Sequence, residues 1–219
     1  GKAVRESEIS REEIFLTSKV WKDHLGYDST LQEFESTCKR LGTDYLDLYL
    51  IHWPRPSDLN AEWRDLDVET WKALEDLYKS KKVRAIGVSN FLPHHLNNLL
   101  ERTSIMPMVN QLEFHPGYMQ KAAVDFCKQM GIQVEAWSPI GRARVLKEPL
   151  LMELAERQKR EFIQYYEGKE VSVLFEEPVE VDGVRYFEGL TPEYVKVWVP
   201  TEENLTNRIM KVEFFPYLY

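Results

Sequence analysis

Cysteine is nearly absent: Cys38 and Cys127 are the only two in 219 residues. Two cysteines cannot build a disulfide framework, and each falls on the apolar face of a helical pattern, where a free thiol acts as a small buried hydrophobe. A reducing, cytoplasmic setting is the expectation. Long apolar runs are missing as well. None approaches the ~18 residues needed to span a bilayer, and no secretory leader pattern opens the chain, so no membrane partner is expected. Positive charge is in deficit: 28 Lys and Arg against 36 Asp and Glu leave a net of −8. That balance disfavours polyanion binding by the chain as a whole. An initiating Met is absent, and Gly1 to Ser7 reads as the end of a helix whose beginning is not in the sequence. The glycine fingerprint of a Rossmann dinucleotide site is also absent, since Gly87 and Gly141 do not form one.

What is present is a fold signal. Hydrophobic residues make up 43% of the chain, enough for a sizeable core. Five apolar, β-branched or aromatic runs follow one another: Ile14–Trp21, Leu46–Trp53, Val83–Ser89, Met108–Phe114 and Gln133–Ser138. Most lack strict alternation, as strands buried on both faces of a parallel sheet do. Helical patterns separate them. Ser29 with Gln32 makes a capping-box signature ahead of Leu31, Phe34, Cys38 and Leu41, with Gly42 suited to the C′ position. Trp71, Leu74, Leu77 and Tyr78 mark a second helix. Pro93 opens a third, with Leu96, Leu99 and Leu100, and Ala122, Ala123, Phe126 and Met130 mark a fourth that stops at Gly131. Strands alternating with helices predict an α/β fold of about five βα units with parallel strands.

The pattern changes after Gly141. Residues 148–166 read as one charged amphipathic helix. From Gly168 the pattern is all-β: Val171, Val173 and Phe175 alternate with polar residues, Asp182-Gly183 signals a hairpin, and Tyr186-Phe187, Tyr194–Val199 and Ile209–Phe214 supply further short strands. The domain reading is a barrel piece over 1–150, a linking helix over 151–167 and a small β domain over 168–219.

Each of the five buried runs carries polar groups near its C-terminal end: Lys19, His52, Ser89 with Asn90, Gln111 with His115 beyond it, and Ser138. In a parallel barrel the working residues collect at that end, so five strands in succession point to one shared site. Lys19 lies within an apolar strand, where desolvation lowers an amine's pKa unless a carboxylate compensates. The plainer alternative is a lysine that snorkels out at the strand end. For His52 the plainer alternative is a satisfied core histidine. His94-His95 lacks a third ligand at metal spacing and reads as a solvated helix start. The acidic stretch Asp58–Asp67 reads as solvated loop charge.

Several motifs together resemble the aldo-keto reductases. They are Phe15-Leu16-Thr17-Ser18-Lys19-Val20-Trp21, the run from Leu41-Gly42-Thr43-Asp44 to Ile51-His52-Trp53-Pro54, Gly87-Val88-Ser89-Asn90-Phe91, Asn110-Gln111-Leu112-Glu113-Phe114-His115-Pro116, and Glu135-Ala136-Trp137-Ser138-Pro139-Ile140-Gly141. The resemblance covers residues 1 to about 155. It implies a TIM barrel that transfers hydride from NADPH or NADH to a small carbonyl substrate through a tetrad of Asp, Tyr, Lys and His. Lys19 and His52 then match the family lysine and histidine. Ser89, Asn90 and Gln111 match the residues that hold the nicotinamide carboxamide, and Trp137 the aromatic that stacks on its ring. Ser138 to Gly141 match the start of the pyrophosphate loop, and Trp21 and Trp53 line the substrate pocket. The family Asp and Tyr precede the segment that starts this sequence, and the basic motif that grips the adenosine 2′-phosphate does not follow residue 160. The expectation is a partial barrel with little reductase activity as this chain, and with exposed sheet edges that invite self-association.

The tail resembles a second family. Gly168 to Glu177, Glu188 to Val197 and Asn207 to Val212 are similar to the TRAM domain that ends the tRNA methylthiotransferases, a small β-barrel. That implies RNA contact, with Tyr194 and Trp198 available to stack on bases. Yet residues 168–219 carry five basic against ten acidic side chains, the wrong sign for phosphate-driven binding. Two further readings therefore stand beside the reductase: a tRNA-binding module acting through the tail, and a chimera without evolved function, joined near Leu154-Ala155-Glu156.

Overall fold

In the computed structural model, residues 1–54 and 62–215 are described. The chain divides into two compact units, Gly1–Val145 and Leu146–Tyr219.

The first unit opens with a short helix α1 (Lys2–Glu6) and a 3-10 turn (Arg11–Glu13). It continues as β1 (Thr17–Val20), α2 (Tyr27–Leu41), β2 (Leu46–Ile51), α3 (Trp63–Lys79), β3 (Val83–Ser89), α4 (Pro93–Leu100), β4 (Val109–Glu113), α5 (Lys121–Met130) and β5 (Gln133–Trp137). The sheet order is β1-β2-β3-β4-β5, and every neighbouring pair runs parallel. All six residues of β2 are buried, as expected for a strand sandwiched on both faces. One face packs on the helices. Phe34 and Cys38 of α2, Trp71, Leu74 and Leu77 of α3, Leu96 and Leu99 of α4 and Cys127 of α5 form one core with Tyr49, Ile51, Ile86 and Val88. Burial pushes the Cys38 thiol up to about 11, so it stays protonated and inert.

Gly42 and Gly131 end α2 and α5 with φ of 73° and 71°, and Pro93 opens α4. His95 is not solvated at this helix start. It is buried, and its Nδ1 accepts the Leu92 N–H at 3.1 Å. The Ser29–Gln32 capping box is not used either. The helix α2 begins three residues earlier, behind Gly26 at φ +95°, a conformation glycine adopts without steric cost. Gly26 is fixed there because its N–H donates to Thr70 Oγ1 at 2.7 Å. The strand β1 is shorter than the apolar run Ile14–Trp21, because the Leu16 N–H is taken by the Asp47 carboxylate at 2.9 Å. Asp65 and Asp67, expected in a loop, lie inside α3, and Asp67 is buried. The rest of that acidic stretch, up to residue 61, falls outside the described residues.

Two ties close the ends of the layers. Asp47, 2% exposed, accepts from Arg11 at 2.9 Å and Arg84 at 3.0 Å. Glu75, also buried, accepts the N–H groups of Ser104 and Ile105 at 2.7 and 2.6 Å.

The second unit holds α6 (Pro149–Tyr166) and four antiparallel strands: β6 (Glu170–Val181), β7 (Val184–Leu190), β8 (Lys196–Pro200) and β9 (Arg208–Glu213). Their order is β8-β7-β6-β9. Asp182 and Gly183 turn the β6–β7 hairpin, both at positive φ (52° and 75°), as a two-residue hairpin of the primed type requires. Ile163 of α6 shares a core with Val171, Val173, Phe175, Phe187 and Phe214. The helix α6 therefore belongs to this unit. Among the described residues no backbone pairing joins β8 to β9, so the sheet is open where a closed small barrel was expected.

Candidate functional site

In a parallel pair, residues in register point to the same side, and alternate residues share a face. Lys19 lies beside Leu50, Leu50 beside Gly87, Ser89 beside Gln111, and Gln111 beside Glu135. Lys19, Leu50, Ser89, Gln111, Glu135 and Trp137 therefore occupy the face opposite the helices. Gly87 is required there. A Cβ at that position would lie 2.6 Å from the Val109 carbonyl oxygen and 2.8 Å from Leu50 Cδ2.

The polar side chains of this face form one connected network. Lys19 Nζ donates to Gln111 Oε1, and Gln111 Nε2 donates to Glu135 Oε2 at 2.9 Å. The amide orientation follows from charge: its oxygen faces the ammonium and its NH₂ faces the carboxylate. Ser89, fully buried, donates its hydroxyl to the Gln111 carbonyl at 2.9 Å. Asn90 stands at φ +64°, and its Nδ2 donates to the His52 carbonyl at 3.0 Å and to Ser89 Oγ at 3.1 Å. Its Oδ1 accepts the Trp137 indole N–H at 2.9 Å. The His52 ring meets Trp21 edge-on, centroids 4.7 Å apart, and lies near-parallel to Trp53 at 6.4 Å. Both tryptophans are more than two-fifths exposed. The rim is thus aromatic and open, and the floor is polar and bonded.

The electrostatics follow from this placement. Burial lowers the Lys19 ammonium from its ordinary value, and the Glu135 charge offsets that only in part. Burial also lowers the His52 imidazole, and the charge of Lys19 adds to the effect. Lys19 has no ion pair among the described residues; its polar contact is the neutral amide of Gln111.

Beyond β5 the backbone curls sharply. Ser138, Gly141, Arg142 and Ala143 all stand at positive φ, and the Gly141 N–H closes a turn onto the Ser138 carbonyl at 2.7 Å. A Cβ on Gly141 would sit 3.3 Å from the His115 ring, which explains the glycine. Arg144 Nε donates to the Gly141 carbonyl at 2.9 Å and its guanidinium extends toward Glu113 at 4.0 Å. Ser138 and Gly141 adjoin the network through the chain and make no side-chain hydrogen bond to it.

Glu135 was not singled out from the sequence. Its signal was parity: it lies two residues before Trp137 and so shares Trp137's face. His115 was read from the sequence as lying just beyond Gln111; Arg144 was not singled out and gains its place from the turn after β5.

A family model, Aldo/keto reductase family, matches residues 1–183. The match runs through β6 into the β6–β7 turn. Glyoxal reductase of Bacillus subtilis (strain 168) is 50% identical over 164 residues, covering 75% of this chain and 56% of that protein. A solved aldo/keto reductase from Brucella melitensis superposes with a TM-score of 0.66 at 44% identity, over 72% of this chain and 58% of that one. A mutant of Gox0644 solved in complex with NADPH gives a TM-score of 0.64 at 40% identity, over 75% and 59% of the two chains. The chain spans little more than half the length of these relatives.

Proposed function

Because the chain belongs to the aldo/keto reductase family, we propose that its first unit forms the nicotinamide end of the active site of an NAD(P)H-dependent carbonyl oxidoreductase. The network that ties Lys19, Gln111, Glu135, Ser89, Asn90 and Trp137 across β1 to β5 carries this reading. The residues fit such a cofactor. Asn90 and Gln111 carry carboxamides suited to a carboxamide, Trp137 offers a flat face to a ring, and the 138–144 turn carries two arginines and a curled backbone, chemistry suited to a pyrophosphate. The bound cofactor supplies hydride to a carbonyl carbon.

The protein's own residues then orient and polarise. His52 stands at the mouth between Trp21 and Trp53, where a neutral imidazole donates a hydrogen bond to a carbonyl oxygen and the two indoles exclude water from one side. Lys19 sets a positive potential at the floor. No phenol among the described residues contacts Lys19, so a proton donor of that kind is absent from the network. General acid catalysis supplies ~10²–10⁴ in rate; the 219-residue chain by itself should bind NADPH yet reduce aldehydes slower than intact relatives by a factor of that order. Titrating the full chain with NADPH and following its fluorescence tests the binding half. Saturable binding that is lost in Asn90→Ala supports it; absence of saturable binding overturns it. Steady-state NADPH oxidation with short aldehydes tests the other half, and turnover at the level of a full-length relative would refute it.

A further inference from the structure

Among the described residues, Glu135 enters the polar network through Gln111, whose Nε2 donates to its Oε2 at 2.9 Å. The side chain is half-buried on the face opposite the helices. Two residues further along β5, on the same face, stands Trp137. A strand rises ~3.3 Å per residue, so the two residues stand roughly 7 Å apart along the chain. The other ionisable groups of this face are Lys19 on β1, His52 just beyond β2, and Glu113, which is in register with Trp137 on the neighbouring β4. Glu113 is opposed by the Arg144 guanidinium at 4.0 Å and lies 3.6 Å from His115 Nε2. The group that bonds Glu135 is a neutral amide.

We propose that Glu135 sets the preference of this cleft between the oxidised and the reduced nicotinamide cofactor. The inference rests on the reading that the nicotinamide ring stacks on Trp137. When a hydride passes to a carbonyl carbon, two electrons and one hydrogen nucleus leave a neutral dihydropyridine ring; a pyridinium cation remains, and the carbonyl oxygen takes up a proton. Phosphates and adenosine are the same in both states. The charge that differs lies on the ring, beside Glu135. A carboxylate at that range attracts the cation and acts little on the neutral ring, so it tightens NADP⁺ relative to NADPH. With an effective dielectric near ~20 the direct term at ~7 Å exceeds a tenfold change in affinity, and screening at the open mouth of the cleft reduces it to about 3- to 10-fold. Lys19, Glu113 and Arg144 add their own fields, but they stay in place when Glu135 is neutralised, so the difference between the two proteins belongs to Glu135. The same carboxylate favours hydride donation over hydride return.

The experiment is a pair of titrations on the intact 219-residue protein and on three variants. NADPH binding is followed by its fluorescence, and NADP⁺ binding by displacement of NADPH. The readout is the ratio of the NADP⁺ Kd to the NADPH Kd. A loss of packing or of a hydrogen bond weakens both cofactors alike and leaves that ratio unmoved. Glu135→Gln keeps an oxygen for Gln111 Nε2 and removes the charge, so the ratio should rise about 3- to 10-fold. Glu135→Ser removes the charge and the hydrogen bond together. Both cofactors should then bind more weakly, with the ratio raised as far as in Glu135→Gln. Glu135→Asp restores the charge and should return the ratio to the parent value. Circular dichroism confirms that each variant is folded. A ratio unchanged in the two neutral variants, with both cofactors bound, overturns the proposal. So does an aspartate variant whose ratio shifts as far as that of Glu135→Gln, because contact geometry and not charge would then be the cause. Failure of NADPH to bind the parent protein overturns the cofactor-site reading itself, and that result is seen before any variant is made.

Discussion

Trp137→Phe isolates a single hydrogen bond at the floor of the cleft. The indole N–H of Trp137 donates to Asn90 Oδ1 at 2.9 Å, while Asn90 Nδ2 is already engaged with the His52 carbonyl and Ser89 Oγ. An amide oxygen can accept twice, so a carboxamide NH₂ arriving at Asn90 Oδ1 must share it with the indole and compete for the best geometry. A neutral hydrogen bond of this kind contributes about 0.5–1.5 kcal/mol net. Phenylalanine keeps an aromatic face for stacking and removes only the donor. If the nicotinamide end binds at Asn90, the competing internal bond is lost, and NADPH should bind about 2- to 10-fold tighter in Trp137→Phe, since about 1.4 kcal/mol is tenfold. Trp137→Ala removes the stacking face too and should bind NADPH more weakly than Trp137→Phe. The assay is fluorescence titration of both variants beside the parent. A Trp137→Phe protein that binds NADPH several-fold more weakly than the parent would refute the reasoning, because the indole N–H would then be a ligand for the cofactor rather than its competitor.

Three further outcomes follow from the fold. Asp47→Asn removes the buried carboxylate from Arg11 and from the half-exposed Arg84 and should cost about 1–3 kcal/mol in urea unfolding. Burial pulls the Asp47 carboxyl upward, yet the Leu16 N–H, Arg11 and Arg84 outweigh it and hold it below the ordinary carboxylate value. Its contribution is therefore present above the unfolded-state value and disappears as pH falls through the folded one, so Asp47→Asn should flatten acid unfolding; an unchanged acid limb counts against the tie. Gly87→Ala drives a methyl into the Val109 carbonyl and Leu50, and should destabilise by about 1–3 kcal/mol, read as a lower urea midpoint. His52 is depressed in the fold by burial and by Lys19, so its share of stability is full above the unfolded imidazole value and fades as pH drops through its folded value. The His52→Asn protein should lose less stability than the parent across that window, and equal pH slopes would exclude the effect.

The parallel sheet was legible because burial on both faces writes itself as uninterrupted apolar runs, and β2 is the clearest case. Gly42, Gly131 and Pro93 were legible because each does something that other residues do poorly, an αL stop or a first-turn φ. The start of α2 was not. Ser29 with Gln32 is a good local cap, but the hydroxyl oxygen of Thr70, forty-four residues away, accepts the Gly26 N–H and fixes that glycine, and a tertiary contact overrides a local preference. Glu135 was missed for a similar reason. A glutamate in a short strand reads as solvent-facing until the amide that donates to it, Gln111 on the neighbouring strand, is known to point the same way. In the tail, alternation and Asp182-Gly183 revealed the strands and the hairpin, but closure of a sheet depends on the register between its outermost strands, which no local pattern encodes.

The contact between Lys19 and Gln111 also constrains the shape of the sheet. The strands β1 and β4 are three places apart in the order. In a flat sheet that separation is about 14 Å, farther than a lysine and a glutamine standing perpendicular to the sheet can bridge. They meet because the sheet curls toward the face opposite its helices, so that side chains from distant strands converge over the concave side. The same curl brings Trp137 of β5 onto Asn90 at the end of β3. The site is therefore a property of curvature as much as of residue identity. A substitution that flattens the sheet, such as a bulky residue at Gly87 on the concave face, should separate Lys19 from Gln111 and raise the Lys19 amine toward an ordinary exposed lysine without changing the identity of any polar residue in the network.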